Sequence, residues 1–141
     1  MKYYLDTNIC IYFLKGQYSQ LLNIIMSHSP ADIKISSMVK AELLYGAEKS
    51  KKKNENLEKV KKFLLPFEII PFDDKATVEY SVIRAKMEKT GIVIGPNDLI
   101  IAATVLSRSG ILVTNNEKEF GRIPGLTVEN WLFKQKPNPR I

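Results

Sequence analysis

Five short runs rich in β-branched and apolar residues, at 2–5, 33–36, 68–71, 111–114 and 126–128, are spread along the whole chain, with stretches of helical periodicity between most of them. Helices are expected over residues 8–14, 18–27, 38–48, 54–65, 74–89 and 98–107. This alternation constrains the fold more than any other feature. Strands that alternate with helices are joined by crossovers, which set neighbouring strands parallel and lay helices on the faces of one sheet. The expected fold is therefore α/β, layered around a mostly parallel central sheet. Within the 74–89 stretch, Ala76, Tyr80, Ile83 and Met87 share one helix face; Asp73 or Asp74 can cap its start and Gly91 can stop it. Sites in such sheets lie outside the carboxyl ends of the strands. Asp6 sits at one of those ends.

The chain of 141 residues is 45% hydrophobic and 26% charged, an ordinary globular composition for one domain with its own core. That domain is expected over residues 1–132, with 133–141 ("FKQKPNPRI") as a flexible tail. No apolar run approaches the ~20 residues of a membrane span, and no signal-peptide pattern opens the chain, so a cytoplasmic protein is expected. Cys10 is the only cysteine. It leaves no room for an internal disulfide or a cysteine-based zinc site and is expected to pack as a small apolar side chain.

Almost all of the net charge of +6 comes from residues 49–62, "KSKKKNENLEKVKK", where seven lysines face two glutamates. A concentrated basic segment can hold a polyanion or steer one. It can equally be a solvated helix face with Glu–Lys pairs, such as Glu55–Lys59 and Glu58–Lys62.

Three carboxylates stand in apolar surroundings. Asp6 lies between a strand and a helix in "YYLDTNICIYFLK", where the ordinary role is an N-cap or an Asx-turn. Glu42 interrupts the apolar face of "SSMVKAELLYGAEKS", with Met38, Val39, Tyr45 and Gly46 as its helical neighbours. Its ordinary role is a half-exposed edge position reached by Lys40 or Lys49. Asp98 opens the helix of "GIVIGPNDLIIAATVLS", where the helix dipole favours an acid; Leu99 to Leu106 is apolar nearly all round and must be buried. Each ordinary reading is acceptable singly. Together, three acids in apolar segments are costly to bury unless positive charge meets them, and no Arg or Lys lies in helical register with Glu42 or Asp98. A hard divalent cation, Mg2+ or Mn2+, suits such an oxygen-only donor set. In "LVTNNEKEFG", after the strand at 111–114, Glu119 or Asn116 can complete the cluster; surface turn residues are the alternative.

Clustered carboxylates around Mg2+ fit phosphoryl transfer. His28, in "MSHSP", is the only histidine, so a metal-free ribonuclease with a histidine acid–base pair cannot be built, and Ser–His or Cys–His nucleophiles find little support.

The segments "YYLDTNICIYFLK", "ISSMVKAELLYGAEKS" and "GPNDLIIAATVLSRSGILVTNNEKEFGRIPGL" together resemble the PIN-domain ribonuclease toxins of bacterial toxin–antitoxin modules, the VapC family. The resemblance spans roughly Lys2 to Trp131. It implies a small α/β/α domain that hydrolyses RNA with Mg2+ or Mn2+. Asp6, Glu42 and Asp98 match the family's three main acids as catalytic and metal-binding residues. Many relatives carry a fourth acid where this chain has Asn116; a subgroup reading "TNN…EF" carries it at the position of Glu119. Glu119 is thus implied as a ligand, directly or through water, with Asn116, Thr7 and Asn8 as supports. Members with the closest motifs cleave the anticodon loop of initiator tRNA. The resemblance further implies a cognate antitoxin in the active-site groove, a homodimer, and operator DNA bound through the toxin–antitoxin complex. Lys51, Lys52 and Lys53 are the expected RNA-backbone contacts.

Three rivals compete. A haloacid-dehalogenase-type phosphatase needs a second Asp two residues after the first, where this chain has Asn8. A response-regulator receiver needs an acidic pair on the first loop, where only Asp6 stands. A non-catalytic RNA-binding module would use the lysine segment and leave Asp6, Glu42 and Asp98 far apart.

Overall fold

The structure, a computed structural model, describes residues 1–132; the expected tail at 133–141 lies outside the described residues. The elements are β1 (Tyr3–Leu5), α1 (Thr7–Leu14), α2 (Ser19–Ser27), a 3-10 turn at Pro30–Asp32, β2 (Ile33–Ser36), α3 (Ser37–Glu48), α4 (Lys53–Leu64), β3 (Glu68–Ile70), α5 (Asp74–Lys89), α6 (Pro96–Ser107), β4 (Ile111–Val113), α7 (Glu117–Phe120) and β5 (Thr127–Glu129). The five strands form one parallel sheet in the order β3-β2-β1-β4-β5.

That order positions the site. From β1 the chain builds outward through β2 to β3, then crosses back to lay β4 and β5 on the other side of β1. Connections on the two sides of the β1/β4 boundary therefore leave in opposite directions and open a crevice at the carboxyl ends of these strands. Leu5 pairs with Val113 across this boundary, and the ladder runs one bond further, from the Asp6 amide to the Val113 carbonyl at 2.9 Å. Asp6 and Thr114 consequently sit side by side at the mouth of the crevice.

Local chemistry sets the helices that frame it. Pro96 occupies the first turn of α6, where its missing N–H costs nothing. Leu99, Ile101, Ala102, Ala103, Thr104 and Val105 are all buried, as the all-round apolar pattern requires. Asp73 caps α5, accepting from the Ala76 amide at 3.1 Å, and Gly91 follows the helix with φ +74°, a conformation that glycine adopts without strain. Gly110 precedes β4 at a point of close approach: a Cβ there would lie 2.4 Å from the Tyr4 ring, so only glycine lets β4 enter beside β1.

Two features depart from the local pattern. The "NNEKEF" stretch, open to reading as surface turn residues, contains the short helix α7. Four residues cannot hold a helix by propensity; burial of Phe120, 1% exposed, pins this one to the core. His28 ends α2 and stacks on Trp131, with ring centroids 4.9 Å apart and planes 4° from parallel, while Tyr3 packs against both rings. The histidine fastens the end of the domain beside β1. Cys10 is fully buried in α1, as an apolar side chain would be.

Candidate active site

Asp6 is both the helix cap that its position suggests and a member of an acidic cluster. It caps α1 by accepting from the Thr7 amide at 2.8 Å through Oδ1. Its other oxygen, Oδ2, accepts from the Thr114 hydroxyl at 2.8 Å. The carboxyl is 5% exposed. Burial raises its pKa, the Thr114 and Thr7 hydrogen bonds hold it down, and the nearby charges of Glu42 and Glu119 raise it again.

Glu42 projects from the middle of α3. One of its oxygens accepts from the Thr7 hydroxyl, and the other accepts from the Asn97 side-chain amide at 3.2 Å. Neither lysine that could have neutralised it does so: Lys49 lies over the Tyr45 ring, 4.9 Å from its centroid. Among the described residues no Lys, Arg or His pairs with Asp6, Glu42, Asp98 or Glu119.

Asp98 lies in the first turn of α6, whose N-cap residue, Gly95, offers no side-chain cap. Asp98 instead makes a side-chain hydrogen bond with Glu119. Its pKa is pushed up to about 8, first by burial, then by that bond and by the charges of Asp6, Glu119 and Glu42. At neutral pH Asp98 therefore keeps its proton and can donate it in that bond. Among the described residues no three acidic, histidine or cysteine side chains already stand in an ion-holding arrangement.

Glu119 and Asn116 both belong here, in different roles. Glu119, carried on α7, makes the contact with Asp98. Asn116 donates from its side chain to Glu119 at 3.2 Å, and its amide donates to the Thr114 hydroxyl at 2.9 Å. Thr7 bridges Asp6 and Glu42 as described. Asn8 is exposed and makes no side-chain hydrogen bond to the acids among the described residues. Two supports were not anticipated from sequence: Thr114, whose hydroxyl links Asp6 to Asn116, and Asn97, which holds Glu42. Their signals were present, since Thr114 is the polar end of an otherwise apolar strand and Asn97 adjoins Asp98.

The lysine segment begins as the turn between α3 and α4 at residues 49–52 and continues as α4 from Lys53 onward. Lys51 and Lys52 lie between α3 and α4, and Lys53 opens α4 and pairs with Glu48 at 3.0 Å. Farther along, Lys59 and Glu55 are 3.9 Å apart. α3 ends at Glu48, roughly 9 Å beyond Glu42 at 1.5 Å per helical residue, and Lys51–Lys53 follow past that end.

Four acids from four separate segments thus face one crevice at the switch point of a parallel sheet, near enough to raise the pKa of Asp6 and Asp98. A model of the PIN domain matches residues 3–126. The chain is 48% identical to ribonuclease VapC2 of Rickettsia felis, over 93% of this chain and 98% of that protein. It is 37% identical to the tRNA(fMet)-specific endonuclease VapC of Salmonella typhimurium, over 93% and 98%. Among solved structures, VapBC2 of R. felis bound to a fragment of promoter DNA superposes with a TM-score of 0.88 at 45% identity, covering 93% of this chain and 99% of that one. DNA-bound VapBC of S. typhimurium gives 0.89 at 37% identity, over 93% and 98%. By sequence along nearly its whole length and by fold, the chain belongs to the PIN-domain family, among the VapC ribonucleases.

Proposed function

We propose that this chain is the toxin of a type II toxin–antitoxin pair and cuts RNA at the crevice formed by Asp6, Glu42, Asp98 and Glu119, with the anticodon loop of initiator tRNA as its substrate. The observation that carries the reading is the convergence of these four acids without a protein cation to pair with them. PIN-domain nucleases are divalent-metal dependent, and an oxygen-only donor set suits Mg2+ or Mn2+. Asp6, Asp98, Glu42 and Glu119 would hold the ion, which supplies charge neutralisation on the phosphate and an activated water.

The chain's own groups prepare that site. The Thr7 amide and Thr114 hydroxyl fix both oxygens of Asp6 and favour its ionised form. Thr7 and Asn97 hold the two oxygens of Glu42 by hydrogen bonds, and Asn116 orients Glu119. Preorganised carboxylates need no rearrangement as charge develops on the phosphate. Lys51, Lys52 and Lys53, beyond reach of the cleaved bond, hold RNA phosphates and offset the repulsion of an acidic crevice.

The likeness to the S. typhimurium tRNA(fMet)-specific enzyme supports this substrate, as does the resemblance carried by the motifs "LDTNICI…GPNDLIIA…VTNN". The likeness to VapBC complexes supports a cognate antitoxin partner, a toxin homodimer, and operator DNA engaged through the complex. Among the described residues no helix is long and apolar enough to cross a membrane, and a tRNA substrate is consistent with activity in the cytoplasm. One experiment tests the core of the reading: RNA ends are sequenced after a brief pulse of expression of the wild type, Asp6→Asn and Asp98→Asn, with cleavage by the purified proteins followed in EDTA and after Mg2+ or Mn2+ is restored. Wild-type cleavage within the initiator anticodon loop, silence of both variants and silence under chelation are expected. Cleavage that survives chelation refutes the metal role.

A further inference from the structure

Lys86, Lys89 and Arg122 line an open pocket of about 280 Å³ where the last turn of α5 meets the stretch after α7. Topology sets this pocket beside the acids. Only residues 90–95 separate α5 from α6, so the last turn of α5 stands at the end of α6 that carries Asp98. Arg122 follows Glu119 by three residues, and its amide bonds the Glu119 carbonyl at 3.2 Å. All three cations are exposed, and among the described residues none of them makes an ion pair or a side-chain hydrogen bond. Arg84 and Arg108, by contrast, each pair with an acid, Glu88 and Asp73. Lysines in a last helical turn complement the helix dipole, which accounts for Lys86 and Lys89. It does not account for Arg122, which another segment contributes.

We propose that this pocket binds a backbone phosphate of the substrate RNA, on the strand that leaves the acids past Glu119. The inference rests on the ribonuclease reading of the acids. Three positive charges line the pocket and no acid does. The planar fork of Arg122 can grip a phosphate through two parallel hydrogen bonds, and the lysines add point charges. Met87, Ile92 and Pro124 supply an apolar wall, and low-dielectric walls focus the field of such charges. The carbonyls at the end of α5, which would repel an anion, are already engaged. That of Lys86 accepts from the Thr90 amide at 3.2 Å, that of Met87 from the Ile92 amide and the Thr90 hydroxyl, both at 3.0 Å, and that of Glu88 from the Gly91 amide at 3.1 Å. Arg122 follows the helix that carries Glu119, just as Lys51–Lys53 follow the helix that carries Glu42. An RNA strand held at the acids therefore meets positive charge in both directions, which offsets the repulsion of an acidic crevice.

Arg122→Gln and the double variant Lys86→Gln/Lys89→Gln test the pocket. Lys75→Gln, at an exposed lysine in the first turn of α5, controls for a change of charge alone. Binding of a labelled RNA copy of an initiator anticodon stem-loop is read by fluorescence anisotropy over a salt series, in the Asp98→Asn background with Mg2+ present. Each pocket variant should weaken Kd and reduce the slope of log K against log salt by about 0.7–0.9, the loss of one phosphate contact. Lys75→Gln should leave both unchanged. Arg122→Lys, which keeps the charge but not the fork, should recover the slope more fully than Kd. In the otherwise wild-type enzyme Arg122→Gln should raise KM more than it lowers kcat. Pocket variants with the parent's Kd and slope would overturn the proposal. An equal effect of Lys75→Gln would do the same, since the dependence would then be on net charge. So would variants that bind RNA normally but change the oligomeric state in analytical ultracentrifugation, which would make the pocket a protein contact. A wild type that neither binds nor cuts RNA with Mg2+ or Mn2+ refutes the ribonuclease reading and the pocket with it, whereas wild-type cleavage beside unaffected variants refutes the pocket alone.

Discussion

Replacing Asp98 with Asn removes one negative charge from the cluster while keeping the side-chain volume, and the structure predicts that metal-free protein becomes more stable at alkaline pH. The Asp98 carboxyl, ordinarily at 3.8, is pushed up to about 8. Between those values the folded protein keeps a proton that the unfolded chain has released, so wild-type stability is fully present below about pH 4 and is lost as pH rises through about 8. At ~1.4 kcal/mol per pH unit the ceiling of this loss is about 5–6 kcal/mol. Asp98 is half exposed and contacts Glu119, so solvent screening and coupling leave about 1–3 kcal/mol. Asn also forfeits the interaction of an ionised acid with the first turn of α6, about 0.3–1 kcal/mol. The net gain for Asp98→Asn near pH 9 is about 1–2 kcal/mol, or roughly 3–8 °C in melting temperature for a chain of this length. Thermal unfolding in EDTA, followed from about pH 4 to 9, provides the assay. The two proteins should melt together at the acid end and diverge steadily above it. Saturating Mg2+ should then raise the wild-type melting temperature more than the variant's, because the ion binds only the folded state. An equal offset at every pH, or a variant no more stable than wild type near pH 9, would refute the charge-repulsion argument.

Thr114→Val keeps the buried side chain's shape but leaves Asp6 Oδ2 and the Asn116 amide without their partner. It should cost about 1–3 kcal/mol and move the acid limb of the cleavage–pH profile to higher pH, because a hydrogen bond that favours ionised Asp6 is gone; Thr114→Ser should restore much of both. Replacing Lys51, Lys52 and Lys53 together with Gln should weaken RNA binding and flatten its salt dependence while leaving the cut position unchanged. An unaltered salt slope would make these lysines a solvated surface, and a shifted cut would make them part of target choice.

The ordinary and functional readings of Asp6 turned out to be compatible. The cap uses one carboxylate oxygen, and the other is held by Thr114, a residue more than a hundred positions away in the chain. For Glu42 the half-exposed position holds but neither Lys40 nor Lys49 reaches it, and Asp98 does stand in the first turn of α6, where it also contacts Glu119.

Strand and helix patterning, read residue by residue, was enough to specify a parallel α/β sheet, the capping of α5 by Asp73 and the burial of α6, because hydrophobic period, caps and turn residues act over a few neighbouring positions. The acids at 6, 42 and 98 were also legible, since a carboxylate in an apolar segment with no cation in register is a local anomaly. Their convergence was not a local property. It depends on the chain crossing back over β1 to place β4 beside it, which brings Thr114, Asn116 and Glu119 to Asp6, and on α3 and α6 lying close enough for Asn97 to reach Glu42. The existence of α7 likewise came from burial of Phe120. The same packing decided which residues stay protonated. A carboxyl's pKa is set by desolvation and by charges that are neighbours in space, and for Asp98 those are Asp6, Glu42 and Glu119, none of them near it in sequence.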